Sequence, residues 1–415
     1  MLSKHSDSRR AFLGRSLLAA GAASSGALLG DEATDATVVD RFESIGETSG
    51  VLYKRGEGPW GKLSYFYFYL EAPEHLIDFV PLPPPRTRWS VPVGERSQLV
   101  DVVRRAPLTD SQRQSLTNPD NSGIADGVFS IFPPAETLES MTPEARASIC
   151  SHLARYELNP YIRNPVRIRS GSVDEWTEDT GMRPELVELM KRMVYFQNGL
   201  MLFSDFPHLI GRARSETEAR ALHKTSSRTR SMLVRLDTKE GAELDEMLKY
   251  WSTGLGLRRK EIEHLLVEAV QNPGVDNLDL AHILPPLPRK LLFTYPDMSM
   301  ANDGILPDCH WSSLNFFNYN PQPIYLDEFF AASRFLESFE QVDPPYRYGD
   351  VMVFLTDDMS AYHSCVYIAG DIVYTKNGRS LYQPWILLPL QDVASTYVDG
   401  DGKPLRVQGF RKLPG

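Results

Sequence analysis

The polarity pattern of the chain changes character along its length. Residues 63 to 70 form one run of aromatic and aliphatic side chains, which predicts a buried strand. From about 106 to 284, apolar residues recur at helical intervals. Beyond Pro345, short apolar runs are separated by Asp, Gly and Asn, which predicts strands joined by turns.

The middle region is predicted to be mostly helical. Thr109, and Thr142 followed by Pro143, are good helix starts. Longer amphipathic stripes predict helices over 184–203, 240–251 and 259–270. No residue pattern in this region points to chemistry.

The C-terminal region combines one or two helices within 308–335, broken at Pro321 and Pro323, with a small sheet. Its four strands are predicted at 351–355, 364–368, 372–375 and 385–388. Helices followed by an antiparallel sheet are typical of an α+β unit.

The fold class predicted for the whole chain is therefore α+β, with a largely helical N-terminal region followed by a C-terminal domain in which a cysteine-bearing helix packs on a small antiparallel sheet. The predicted divisions are an N-terminal segment at 1–36, a lead-in segment with the aromatic strand at 37–105, a helical domain of unknown role at 106–284 and a C-terminal domain at 285–415.

The N-terminus resembles a twin-arginine export signal. Residues 8 to 14 read Ser-Arg-Arg-Ala-Phe-Leu-Gly, and a mildly apolar run follows at 16–30. That run is shorter than the roughly 20 apolar residues of a membrane-spanning helix. We therefore expect export to the periplasm or beyond, with no transmembrane span in the mature protein.

Composition narrows the classes of partner. Of the 415 residues, 42% are hydrophobic and 24% charged, and the formal net charge is -10, which argues against nucleic acid or an anionic membrane as the main partner. We interpret the basic stretch from Arg212 to Arg235 as a solvated helix face. The chain lacks His-Glu-x-x-His, Cys-x-x-Cys and Gly-x-Ser-x-Gly patterns, so zinc peptidases and serine hydrolases of these types lack their minimum residues here.

Three cysteines are too few for a disulfide framework, and one of them occupies a special place. In Pro307-Asp308-Cys309 the aspartate is a good helix cap, which predicts Cys309 at the first helical position. The unpaired N–H groups there stabilise a thiolate by about 0.3 to 1 kcal/mol and can hold an oxyanion. Cys309 is therefore the candidate nucleophile.

A base for this thiol is available at His363, at the start of a predicted strand. The turn after Ile368 returns the chain as an antiparallel neighbour, which brings Thr375, Lys376 or Asn377 beside the histidine. A register shift of one residue changes which side chain faces the imidazole, so the orienting residue stays open among these three.

Three motifs in this order resemble the NlpC/P60 group of papain-like cysteine peptidases: Asp308-Cys309, the Gly-Asp-hydrophobic strand of 348–354, and the histidine-led strand of 363–368. The resemblance covers about residues 290 to 400. It implies Cys309 and His363 as catalytic pair, Asp308 as supporting residue, and Tyr295 as the tyrosine that contacts the cysteine.

The chain departs from that pattern at several positions. His310 and Trp311 stand where the family has small residues, and Cys365 stands where it often has glycine. We interpret His310 as a cleft-rim residue and Cys365 as a small core residue, with a Cys309–Cys365 disulfide left open as a state that would quench activity. Cys150 is interpreted as a core residue.

The resemblance implies an exported cysteine hydrolase that cleaves a peptide or another amide, with peptidoglycan peptides as the family's substrate. It also implies that no metal or organic cofactor is required. Two alternatives stay open from the residues alone. One is a papain-like binding or scaffolding protein without turnover, and the other is an acyltransferase that uses the same cysteine and histidine.

Overall fold

The computed structural model describes residues 47–239, 243–254, 258–399 and 403–413. The proposed signal peptide lies outside them. The described strands are β1 Tyr53–Gly58, β2 Gly61–Leu70, β3 Trp89–Pro92, β4 Ser122–Ala125, β5 Val128–Ile131, β6 Val166–Ile168, β7 Tyr195–Gln197, β8 Leu200–Phe203, β9 Thr229–Asp237, β10 Asn277–Asp279, β11 Phe339–Val342, β12 Val351–Leu355, β13 Ala361–Ala369, β14 Ile372–Lys376, β15 Trp385–Pro389 and β16 Arg406–Lys412.

The described α-helices are mostly short. They are α1 Glu74–Phe79, α2 Arg96–Arg105, α3 Asp110–Thr117, α4 Ala135–Glu139, α5 Pro143–Leu153, α6 Pro160–Arg163, α7 Val173–Thr177, α8 Pro184–Met193, α9 Phe206–Ile210, α10 Glu216–Ser226, α11 Leu244–Trp251, α12 Arg259–Gln271, α13 Pro286–Leu291, α14 Cys309–Leu314, α15 Glu328–Ser338 and α16 Leu390–Ala394. None of the described helices has the length and apolar character needed to cross a membrane.

The described chain forms two compact units. The first contains residues 49–70 and the described residues from 229 onward, and the second contains residues 71–228. The aromatic strand β2 and the strand β9 thus belong to the same unit as the C-terminal region, although more than 150 residues separate them in sequence. The class is mixed α and β with antiparallel sheets, compatible with the predicted α+β class.

The first unit contains a six-stranded antiparallel sheet in the order β11-β16-β12-β13-β14-β15. Side chains alternate between its faces. Val351, Val353 and Val366 lie in the core cluster that includes Trp311 of α14, so α14 covers this first face. Met352 and Cys365 lie in a separate cluster on the second face.

A second sheet of the same unit has the order β1-β2-β9-β10 and is also antiparallel. Alternate residues of β2, such as Leu63 and Tyr65, are buried in the same cluster as helices α11 and α12. The predicted aromatic strand is confirmed, and helices provide the apolar surface that buries it.

The second unit surrounds two three-stranded sheets, β3-β5-β4 and β6-β8-β7, with helices. Its interior contains an ion pair between Arg146 and Asp205, both nearly inaccessible to solvent. Asp205 also accepts a hydrogen bond from Thr87 at 3.1 Å, and Arg146 donates to the carbonyl of Leu138. A fully buried charge pair of this kind is held by hydrogen bonds on both partners.

Two predictions for the region 106–284 were wrong. The predicted helix over 184–203 ends at Met193, and the remainder forms the hairpin β7–β8. Asn198 and Gly199 at its turn have φ of 50° and 75°, a conformation that favours an Asn-Gly hairpin over a continuing helix. The region is therefore less purely helical than its apolar spacing indicates.

The basic stretch from Arg212 to Arg235 is likewise not one helix face. It contains α10 and then β9, an interior strand of the four-stranded sheet. Buried residues at alternate positions of β9, such as Met232 and Val234, pack into the core. The cations that lie among them obscure this period-two pattern in the sequence.

Candidate active site

The candidate nucleophile lies at the first position of α14. Asp308 caps the helix, because its side-chain Oδ1 accepts a hydrogen bond from the backbone N–H of Trp311 at 2.8 Å. Cys309 follows with 6% of its surface exposed. The cap and the helix start predicted from the sequence are confirmed.

The candidate base lies on β13 and is held from several sides. The Nε2 atom of His363 lies 3.0 Å from the Thr375 hydroxyl oxygen of β14. Its ring stacks on Tyr397, with centroids 4.1 Å apart, and meets the edge of Phe354. The histidine is 1% exposed, so its ring orientation is fixed by packing and by this hydrogen bond.

Asn377 extends the arrangement around His363. Its Oδ1 accepts hydrogen bonds from the Thr375 hydroxyl at 3.4 Å and from the Tyr397 hydroxyl at 3.3 Å. Of the three residues left open by the sequence, Thr375 contacts the imidazole, and Asn377 holds Thr375 and Tyr397 in place.

The charges of two imidazoles, those of His310 and His363, act on the thiol. His363 belongs to the second face of the sheet, whereas α14 covers the first. The pairing of β13 with β14 begins only at Val366 and Tyr374, so the strands are not paired with each other beside His363. At this opening between the two strands, the Thr375 hydroxyl of β14 lies against Nε2 of His363.

Electrostatics favours the ionised form of this thiol. Burial raises the pKa of Cys309, but the positive charges of His310 and His363 and their hydrogen bonds outweigh burial and lower the pKa well below its usual value. These surroundings therefore favour the thiolate, the nucleophilic form of cysteine.

His310 is a half-buried residue with several partners. Burial lowers its pKa, but the charge and hydrogen bond of Cys309, with the charges of Asp308 and Glu328, raise the pKa to about 9. Its Nδ1 lies 3.0 Å from the hydroxyl oxygen of Ser364. The charge of His310 therefore acts on the thiol, a role that the interpretation as a cleft-rim residue did not include.

An ion-pair network supports the helix start from outside. The Arg379 guanidinium donates to Oδ2 of Asp308 at 2.8 Å and to Oε1 of Glu328 at 2.9 Å. Burial raises the pKa of Asp308, but the positive charges of His310 and Arg379 outweigh it and keep the pKa below its usual value. The aspartate is thus ionised and fixed from two directions.

Lys376 is fully buried, yet its ammonium group points along its own loop. Nζ donates to the backbone carbonyls of Gly378 at 2.6 Å and Ser380 at 3.4 Å, and lies 5.5 Å from the ring centroid of Trp385. Burial lowers the pKa of Lys376 to about 7, although the negative charges of Asp308 and Cys309 act to raise it. These contacts make Lys376 an anchor for the loop that carries Arg379.

The other two cysteines differ from Cys309. All three are free and buried, so the disulfide between Cys309 and Cys365 is not formed. Burial raises the pKa of Cys365 well above its usual value. Burial, together with the charge of Asp205, raises the pKa of Cys150 to about 12.

Tyr295 is half-buried and directly follows Thr294, whose carbonyl accepts a hydrogen bond from the backbone N–H of Trp385 on β15. No group of three or more His, Cys, Asp and Glu side chains in the described part of the chain has a geometry that could hold a metal ion.

Sequence reasoning missed Arg379, Glu328 and Tyr397. Arg379 follows the loop glycine Gly378 and has no motif of its own, and 71 positions separate it from Asp308. The one sequence feature that could have pointed to Arg379 was its position two residues after Asn377, one of the candidate orienting residues.

Comparison with known proteins adds no relative: no family model matches the chain, and neither a curated protein nor a solved structure is significantly similar to it.

Proposed function

We propose that this protein is an exported cysteine hydrolase of papain-like type that cleaves an amide bond, with peptides of the cell wall as the expected substrate class. The observation that carries the proposal is the Cys309 thiol at the first position of α14, capped by Asp308, with the charges of His310 and His363 acting on it and His363 oriented by Thr375. Export is supported by the twin-arginine pattern of the sequence.

In the first half of the reaction, the Cys309 sulfur attacks the carbonyl carbon of the amide. The S–C bond forms, the carbonyl π electrons move to oxygen, and the tetrahedral intermediate collapses with cleavage of the C–N bond. The imidazolium of His363 gives its proton to the departing nitrogen. The products are a free amine and a thioester on Cys309.

In the second half, neutral His363 takes a proton from a water molecule, whose oxygen attacks the thioester carbonyl. The C–S bond breaks, the acid leaves, and the thiolate and imidazolium are restored. Thr375 holds Nε2 of His363 throughout, so the other ring nitrogen, Nδ1, is the atom available for these proton transfers.

The two histidines have different surroundings, which supports different roles. His363 is packed between Tyr397 and Phe354 and oriented by Thr375. His310 lies next to two carboxylates, Asp308 and Glu328, which hold its positive charge. In the proposal, His363 transfers protons and His310 stabilises the thiolate.

The test combines labelling and cleavage. Limiting iodoacetamide followed by peptide mass spectrometry should label Cys309 first, and muropeptides should be cleaved by the wild type and by a Cys150→Ala control, with cleavage lost in Cys309→Ala. Equal, slow labelling of all three cysteines would contradict the proposal. Rapid labelling of Cys309 without cleavage of any muropeptide or simple amide would favour the binding protein without turnover.

A further inference from the structure

A narrow pocket lies beside the candidate nucleophile in the first unit, between helices α14 and α15 and the first face of the six-stranded sheet. Its wall includes Asp308 and His310, the residues on either side of Cys309. The pocket is therefore continuous with the start of α14. Most of its wall is hydrocarbon, contributed chiefly by Leu314, Ala331, Phe335, Val351, Val353 and Ala361.

The acidic side chains in the wall already have protein partners. Asp308 and Glu328 both accept hydrogen bonds from Arg379. The two carboxylates are balanced by this guanidinium and by the positive charge that His310 carries beside them. The pocket thus offers no net charge that would select an ionic ligand.

The hydroxyl groups in the wall are engaged as well. Ser364 lies 3.0 Å from Nδ1 of His310 and donates to the Ser313 hydroxyl at 3.1 Å. Ser313 in turn donates to the backbone carbonyl of Cys309 at 2.9 Å. A polar ligand would have to displace these hydrogen bonds, whereas an apolar ligand leaves them intact.

Exposed apolar side chains neighbour the wall residues in sequence. Ile324 precedes the wall residue Tyr325, and Phe329 and Phe330 lie between the wall residues Glu328 and Ala331. These three side chains are 45%, 57% and 47% exposed, respectively. Helical spacing puts Phe329 and Phe330 on other faces of α15 than Glu328, Ala331 and Phe335, so the apolar wall itself carries the inference.

We propose that this pocket binds an unbranched hydrocarbon chain of the substrate, within reach of the carbonyl that Cys309 attacks. The inference rests on the proposed function and names its substrate class: amides that carry an aliphatic chain next to the scissile bond. The small volume of the pocket favours a slim chain over branched or ring-shaped groups, and the internally paired polar groups of its wall disfavour charged ones.

Chain-length dependence of covalent labelling tests this proposal without a known substrate. The full-length protein is treated with N-methyl-, N-ethyl-, N-butyl- and N-hexylmaleimide, and each rate at Cys309 is divided by the rate with glutathione. Complete burial of one CH2 group corresponds to about a fourfold gain, so we expect N-hexylmaleimide to react at least about tenfold faster than N-methylmaleimide after this correction.

Two reagents serve as controls for shape and polarity. N-tert-butylmaleimide should gain nothing over the methyl reagent, and N-(2-methoxyethyl)maleimide should gain less than the butyl reagent of matched length. A corrected rate that is independent of chain length, or one that favours the methoxyethyl reagent, overturns the proposal.

Variants locate the effect in the pocket. Ala331→Leu fills the wall and should reduce the hexyl-to-methyl ratio to near one, whereas Arg334→Leu adds the same side chain at an exposed position of α15 and should keep the wild-type ratio. If Ala331→Leu does not fold, Leu314→Ala widens the pocket instead and should let the tert-butyl reagent react faster. A ratio unchanged in every folded pocket variant overturns the proposal.

The small reagent iodoacetamide separates this inference from the proposed function. Rapid labelling of Cys309 by iodoacetamide with no preference for chain length overturns the hydrocarbon pocket and leaves the hydrolase proposal in place. Labelling no faster than that of Cys150 by any reagent overturns both.

Discussion

Cys150 and Cys309 are both free cysteines in helices, each almost completely buried in its own unit, yet their thiols have opposite properties. The pKa of Cys150 is raised to about 12, mainly by burial and then by the charge of Asp205. Burial acts on Cys309 in the same direction, but two imidazoles reverse the result. Burial alone therefore does not distinguish a packing cysteine from a nucleophile, and the charge of the neighbouring groups does.

The polar residues around the two thiols also differ in what they stabilise. Near Cys150, Arg146 and Asp205 neutralise each other inside the second unit, and Tyr195 and Ser204 pair through their hydroxyls at 2.7 Å. Around Cys309, the polar groups converge on one thiol. The first arrangement is typical of a structural ion pair, and the second of a site where perturbed pKa values serve a reaction.

The largest expected difference is in alkylation. At pH 7, a thiol with a pKa of about 12 is ionised in roughly one molecule in 10⁵, so Cys309 should react with iodoacetamide at least about 10³ times faster than Cys150. Timed quenching and peptide mass spectrometry measure both rates. In guanidinium chloride the protein unfolds and both thiols lose their folded surroundings, so the two rates should converge. Similar rates in the folded protein would contradict the proposed difference between the two thiols.

The next expected effect is on stability and concerns the second unit. Asp205→Asn leaves the buried Arg146 charge without a counter-charge and should lower the free energy of unfolding by about 3 kcal/mol. Urea denaturation followed by circular dichroism measures this change. Glu139→Gln, at a pair with Arg212 that is partly exposed, is the control and should cost about 1 kcal/mol or less. Equal losses would show that the buried pair has no special structural role.

The histidine contacts of Cys309 are tested by pH. Positive imidazoles lower the pKa of the thiol, so replacing either histidine raises that pKa and shifts the rise in alkylation rate to higher pH. We expect His310→Gln and His363→Gln each to slow alkylation at pH 6.5 by roughly tenfold, which corresponds to a thiol that is only about one-tenth ionised at that pH. At pH 10 the rates should approach that of the wild type, because the thiol is then ionised in all three proteins.

His152→Gln is the matched control for this pH experiment, because His152 lies two positions after Cys150 on α5. In this variant, the pH dependence of the alkylation rate at Cys309 should equal that of the wild type. Unchanged profiles in both His310→Gln and His363→Gln would contradict the two-imidazole account of the low thiol pKa.

The smallest expected effect concerns the residue that orients His363. Thr375→Val removes the hydroxyl at 3.0 Å from Nε2 and should slow alkylation at pH 6.5 by about fivefold, equivalent to one hydrogen bond of about 1 kcal/mol. Thr375→Ser keeps the hydroxyl and should restore most of the rate. Asn377→Ala acts only through Thr375 and Tyr397 and should have a smaller effect. If Asn377→Ala slowed alkylation more than Thr375→Val, the assignment of Thr375 as the residue that orients His363 directly would be wrong.

Local patterns predicted the elements that carry the candidate site. The strands predicted at 351–355 and 372–375 match β12 and β14 to within one residue, because buried strands read as uninterrupted apolar runs. The cap at Asp308 follows from residue type and position alone. The same local rules were wrong at 184–203, where an Asn-Gly turn overrides helical spacing.

The partners within the site were less accessible to prediction. Thr375, Lys376 and Asn377 were equivalent candidates until the register and the opening between β13 and β14 placed Thr375 on Nε2 of His363. His310 was interpreted as a rim residue because sequence adjacency to Cys309 says nothing about hydrogen bonding to it.

The sequence by itself therefore determined where the helix of Cys309 begins, four of the six strands of the sheet, and that His363 lies near the start of one of them, since these depend on neighbours a few residues apart. Only the tertiary structure decided that Cys309 meets two imidazoles while Cys150 meets a carboxylate, and that Arg379 supports Asp308. The physical reason is that thiol pKa depends on charges a few ångströms away in space, and residues distant in sequence supply most of those charges.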